Sequence, residues 1–125
     1  MNEHIEPLRG QRILVVEDDY VVAVALAGLL EVLGASVVGP IGWANEALSF
    51  VELGKVPIDA AVLDLDLHGE NSYAIAQALA SRQVHFVFAT GHAADEVDPH
   101  YRDRPRCTKP FDERALINAL LPRSD

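Results

Sequence analysis

Short apolar runs recur along this chain with helix-length stretches between them, and that alternation restricts the fold more than any other feature. Arg12–Val16 (RILVV), Ala60–Leu65 (AAVLDL) and His85–Thr90 (HFVFAT) are continuous apolar runs of strand length, the pattern of strands buried on both faces of a parallel sheet. Ser36–Ile41 (SVVGPI) is a weaker run broken by Gly39 and Pro40, and Arg106–Thr108 is shorter and poorer. Between them the pattern predicts helices over Tyr20–Leu33, stopped by Gly34, and over Ala44–Leu53, stopped by Gly54, glycine being the usual residue just past a helix. A third helix follows Asn71 or Ser72, either of which can cap it, and reaches about Ser81. The polar stretch Gly91–Pro105 has room for one short helix near Ala93–Val97, and a last helix begins at Asp112 and ends before Pro122.

Such a βαβαβαβαβα order predicts an α/β fold, a parallel sheet with helices on both faces. Right-handed crossovers leave few arrangements, and the flavodoxin-like (βα)5 order 2-1-3-4-5 suits the sequence best. It sends the proline-bearing second strand and the poor fifth strand to the edges, where proline is tolerated. The 125 residues correspond to one domain with its core over about 11–122, and a chain of this size buries roughly two-thirds of its unfolded surface.

Charge narrows the partners. The net charge of −9 disfavours nucleic acid or an anionic membrane as direct partner, since both require basic patches. The late basic residues Arg102, Arg104, Arg106 and Lys109 read mainly as a solvated loop. The start of the chain lacks a basic segment followed by an apolar run, and Val21–Leu30 is too short for a bilayer span of about 20 residues. A single cysteine, Cys107, allows no intrachain disulfide. These features agree with a reducing cytoplasm.

In a sheet of this kind ligands bind beyond the carboxyl ends of the strands. The first strand ends in Glu17, Asp18 and Asp19, the third in Asp64, Leu65 and Asp66, the fourth in Thr90 and Gly91, the fifth in Lys109 and Pro110. Any one of these is ordinary: an aspartate at a strand end is commonly a turn residue or cap, and acidic residues before a helix suit its dipole. Four such features at four successive strand ends are not ordinary. The first and third strands are neighbours in the expected order, so their carboxylates converge, at a cost of roughly 4 kcal/mol for two charges about 4 Å apart. Oxygen donors without a Cys or His cluster point to Mg²⁺, Mn²⁺ or Ca²⁺ rather than zinc. Lys109 and Thr90 add a cation and a hydroxyl donor suited to stabilising a transferring phosphoryl group. Asp64, on a central strand facing both, is the natural nucleophile for an acyl phosphate.

The segments ILVVEDD, VLDLDL, FATG and KPF give the chain, over essentially its whole length, a resemblance to the response-regulator receiver (CheY-like) family. The resemblance implies that Glu17 and Asp18 are the acidic pair, Asp64 the phosphoacceptor, Thr90 the switch hydroxyl and Lys109 the paired lysine. Asp66 then lends a backbone carbonyl to a Mg²⁺ (Mn²⁺ possible) held with Glu17, Asp18 and Asp64, and Asp19 is a cap or bystander. It implies a two-component phosphorelay protein that accepts phosphoryl from a phosphohistidine of a sensor histidine kinase or histidine phosphotransfer protein. Such a protein is a signalling domain, not an enzyme acting on other substrates, although it catalyses its own phosphotransfer and autodephosphorylation. Two departures stand out. Arg106 replaces the aromatic residue usual three positions before the lysine, and His68 stands where proline is common. With FATGH, where His92 replaces the usual tyrosine, these features look like the stand-alone "FAT GUY" receivers. They suggest that ordering of Gly91–Pro105 through Thr90 replaces the aromatic switch.

The uncharged stretch Tyr20–Leu30 has two readings, small alanines left exposed or a docking face for a kinase, a phosphotransfer helix or a second copy forming a homodimer. A Mg²⁺ phosphohydrolase of the haloacid-dehalogenase type also carries a DxD motif, as in Asp64-Leu65-Asp66, but its acidic pair follows the lysine instead of preceding the nucleophile. A receiver-like binding module that is never phosphorylated is the third possibility. His68 and His92, as isolated loop histidines, read as surface residues.

Overall fold

The computed structural model describes residues 6–91, 98–101, 104–109 and 111–121. A five-stranded parallel sheet is built from β1 (Arg12–Val16), β2 (Ser36–Ile41), β3 (Ala60–Asp64), β6 (His85–Thr90) and β7 (Arg106–Thr108) in the order β2-β1-β3-β6-β7. Counting only these five, the order is 2-1-3-4-5. Among the described residues the helices are α1 (Tyr20–Val32), α2 (Ala44–Leu53), α3 (Tyr73–Ser81) and α4 (Glu113–Leu120), and Pro99–Tyr101 forms a 3₁₀ turn. The short helix expected near Ala93–Val97 lies outside the described residues, as do His92, Arg102 and Pro110.

Alternation along the central strands divides the core in two. Leu14, Val16, Leu63, Phe86 and Phe88 pack with α2 and α3 residues on one face. Ile13, Val15, Val62, Val87 and Ala89 pack with Leu26, Leu30, Leu116 and Leu120 of α1 and α4 on the other. All five residues of β3 are buried, which places Asp64, at 8% exposure, at the end of an apolar strand. Leu8 is fully buried and its amide donates to the Leu33 carbonyl at 2.9 Å, so the core begins earlier than residue 11.

Local chemistry sets the boundaries. Asp19 is the N-cap of α1 and its carboxylate accepts from the Val22 amide. At the other end Gly34, at φ +103°, closes a Schellman motif, its amide on Glu31 O and that of Ala35 on Leu30 O. Ser72 occupies the N-cap of α3 without a side-chain capping bond, and Asn71 Oδ1 instead accepts the Tyr73 amide at 3.1 Å. Asp112 caps α4 through the Arg114 amide. On α1, Ala23 is buried, Ala25 is exposed, and the large apolar residues facing solvent are Tyr20, Val21, Val24 and Val32.

A two-stranded antiparallel hairpin, β4 (Asp66–Leu67) and β5 (Glu70–Asn71), was not expected from the sequence. His68 (φ 52°) and Gly69 (φ 86°) form its two-residue turn, and positive φ at both positions is what a type I′ turn requires. Only Gly69 signals such a turn in the sequence; histidine at positive φ does not.

Candidate functional site

The carboxyl ends of β1, β3, β6 and β7 meet at one edge of the sheet. β1 pairs β3 through Val16 and Leu63, so Glu17 and Asp18 emerge beside Asp64. Carboxylate oxygens of Glu17, Asp18 and Asp64 all lie within 4.8 Å of one another. The Lys109 ammonium enters from beyond β7, 2.7 Å from Glu17 Oε1 and 3.3 Å from Asp64 Oδ2. The Lys109 amide donates to the Thr90 carbonyl at 2.9 Å. Asp64 pairs in register with Ala89, so Thr90, itself buried, stands one residue further along the neighbouring strand.

Burial governs the electrostatics. Glu17 is 4% exposed, and desolvation pushes its carboxyl up to about 7, against the pull of the Lys109 hydrogen bond and the Asp19 amide. Burial also acts to raise Asp18, but the His68 amide and a hydrogen bond with Glu17 outweigh it and hold that carboxyl below its usual value. Lys109 loses solvation too, yet the hydrogen bond to Glu17 and the charge of Asp64 more than compensate and raise its ammonium.

The residues fit a hard divalent cation. Three carboxylates face one ammonium, and two like charges no more than 4.8 Å apart repel by at least about 3 kcal/mol at an effective dielectric of 20. The donors are all oxygen, as Mg²⁺, Mn²⁺ and Ca²⁺ require. Asp66 does not add its side chain to this group: Oδ1 accepts the Gly69 amide at 3.0 Å and closes the hairpin turn, while its own amide donates to Asp64 Oδ1 at 3.4 Å.

Three aromatic residues near this edge went unremarked in the sequence. Trp43, at the start of α2, lies flat on His68, and His68 donates its amide to Asp18 Oδ2 at 2.8 Å. Tyr101 is buried against Phe86 and Phe88 and stacks on Tyr73, whose hydroxyl accepts the Asp98 amide at 2.7 Å. Arg106 pairs with Phe88 in the sheet, and Arg104 covers the Phe86 ring at 4.9 Å. Of the described basic residues here, Arg104 is exposed while its guanidinium lies over a ring, and Arg106 is half-buried in the sheet.

Comparison with known proteins decides the family. SdrG from Sphingomonas melonis Fr1, a solution structure, is 46% identical to the chain, with a TM-score of 0.78 over 88% of this chain and 92% of that one. A response regulator receiver domain (CheY-like) from Methylobacillus flagellatus superposes with a TM-score of 0.72 at 24% identity, over 85% of this chain and 92% of that one. The chain belongs to the response-regulator receiver domains. A Burkholderia pseudomallei response regulator solved with a phosphorylated aspartic acid, calcium ion and citrate shares the fold, with a TM-score of 0.74 at 24% identity over 89% of this chain and 66% of that one. No family model matches the chain, and no curated protein does. Among the described residues no helix is long and apolar enough to cross a membrane.

Proposed function

We propose that this receiver domain accepts a phosphoryl group from the phosphohistidine of a sensor kinase or phosphotransfer protein onto Asp64. One observation carries the reading: Lys109 spans Glu17 and Asp64 at the strand ends, with Asp18 alongside. In the reaction a carboxylate oxygen of Asp64 attacks phosphorus, and the P–N bond of the donor breaks with its electron pair returning to the imidazole nitrogen. The product is an acyl phosphate on Asp64. Lys109 balances the charge gathered at the phosphoryl group, and Thr90 supplies a hydroxyl donor at the adjacent strand end. Glu17, Asp18 and Asp64, with the Asp66 backbone, would hold a Mg²⁺ or Mn²⁺ ion. Such an ion adds the positive charge that lets the phosphoryl oxygens approach a carboxylate cluster.

Loss of the phosphoryl group to water at the same site makes the domain self-resetting. The output is a changed set of protein contacts. The exposed apolar face of α1 that begins with Tyr20, Val21 and Val24, two residues past Asp18, is the surface we assign to the phosphodonor. The FATG motif and the residues around it support placement in the "FAT GUY" subgroup, with Arg106 at the position of the usual aromatic.

Mass spectrometry of the chain after acetyl phosphate and Mg²⁺ tests the reading. A single phosphate adduct is expected on the wild type, none on Asp64→Asn, and a retained adduct on Asp66→Ala. A wild-type chain that takes no adduct is a receiver-like binding module instead.

A further inference from the structure

Trp43 occupies a place that neither capping nor core packing explains. It is the N-cap of α2 but makes no side-chain capping bond, and its side chain is half exposed. The segment leading to it runs along the end of β1. The Glu17 amide donates to the Ile41 carbonyl at 3.0 Å, and a Cβ on Gly42 would lie 3.5 Å from Glu17 O and 3.6 Å from Asp18 Cα. From there the indole reaches across to the hairpin turn and stacks on the His68 imidazole, with ring centroids 3.8 Å apart and planes 17° from parallel. His68 is held at φ 52°, a conformation that residues with a Cβ rarely adopt. In that conformation its amide points at Asp18 Oδ2, 2.8 Å away.

We propose that Trp43 is a positioning residue for Asp18: its ring clamps His68 in the left-handed turn, and the His68 amide then fixes the Asp18 carboxylate in the orientation that joins Glu17 and Asp64. This rests on the reading of those three carboxylates as a cation site and deepens it. The turn is a two-residue link between strands of two residues each, closed on one side by the Gly69 amide on Asp66 Oδ1 and covered at His68 by the Trp43 ring. Outer partners that orient a metal ligand ordinarily matter to affinity by about tenfold or more. Trp43 acts through an intervening backbone bond and touches no reacting atom.

The test uses the full chain and variants Trp43→Ala, Trp43→Phe, Trp43→Leu, His68→Ala and the Trp43→Ala/His68→Ala double. Two quantities are read: MnCl₂ affinity by calorimetry, and hydrogen exchange of the residue-68 amide by NMR in metal-free buffer. Trp43→Ala is expected to weaken Mn²⁺ binding by about tenfold and to speed exchange of that amide, with the circular dichroism spectrum unchanged. Trp43→Phe, which keeps a flat ring, retains wild-type values; Trp43→Leu, which keeps bulk only, does not. In the His68→Ala background Trp43→Ala changes neither quantity further. Trp43→Ala with wild-type affinity and exchange overturns the clamp, as does equal behaviour of the Phe and Leu variants. A wild type that binds Mn²⁺ with these dependences but takes no phosphate on Asp64 supports the clamp and sinks the phosphoacceptor reading alone.

Discussion

Among the described residues, Glu17 carries a large electrostatic consequence. Its carboxyl sits at about 7 against an ordinary 4.5, with burial as the main cause. Between those values the folded chain holds a proton that the unfolded chain has lost, so stability falls as pH rises through the window. With chelator present, the thermal midpoint is expected to drop from pH 5 to pH 7.5, and Glu17→Gln to flatten that drop. Over the same interval the charged carboxylate becomes available, so Mn²⁺ affinity measured by calorimetry should rise with pH. Gln83 offers a separate test. It closes the Schellman motif of α3 at φ 60°, with its amide on Ala80 O and that of Val84 on Leu79 O. Glycine pays no Cβ penalty there, so Gln83→Gly should raise stability by roughly 1 kcal/mol in urea denaturation. At this scale the sequence was informative about residue type and silent about geometry. Glu17, Asp18, Asp64 and Lys109 were legible because each ends or follows a strand. Trp43 and Tyr101 were not, because an aromatic residue in a loop carries no periodic signal and acquires meaning only from what it lies against.

The elements follow from pattern where the pattern is strong. β1, α2, β6 and β7 keep the bounds their apolar runs suggest, and α1 and β3 differ only at their last residue. α4 is short and rests on few residues, with Leu116 and Leu120 fully or nearly fully buried. Leu116→Ala should cost about 2–5 kcal/mol, read from the shift in denaturation midpoint. α1 differs in that one side is committed to the core through Ala23, Leu26 and Leu30 while the other presents Val21 and Val24 to solvent. Charge added at the exposed side should leave the fold intact, within about 0.5 kcal/mol. Val21→Glu with Val24→Glu is therefore expected to preserve the melting curve and to slow phosphotransfer from a phosphohistidine donor, while acetyl phosphate still modifies Asp64. Helical periodicity could not separate the two sides of α1, because its apolar residues run all round. The β4–β5 hairpin was missed for a different reason: strands of two residues carry no pattern.

At the scale of the molecule, the sheet order is what makes a site of scattered residues. β1 beside β3 brings two adjacent acidic residues to Asp64, and β7 at the edge delivers Lys109 from residues far along the chain. Because the folded chain alone assembles this group, a divalent cation should stabilise it by mass action, about 2.7 kcal/mol at a hundred times its dissociation constant. Thermal melts with and without Mg²⁺ check this, and Asp18→Asn with Asp64→Asn should abolish the difference. The sequence by itself determined the alternation of strands and helices, the edge strands, and which residues stand at strand ends. Those are local properties, set by short-range apolar pattern and turn chemistry. Tertiary structure decided which of those ends converge and how each carboxylate is held. Asp66 turns its side chain to the Gly69 amide, whereas Asp18 is fixed by the amide of His68, fifty residues away. Contacts at that separation depend on how strands pair and how one turn is braced, and no local stretch of sequence records either.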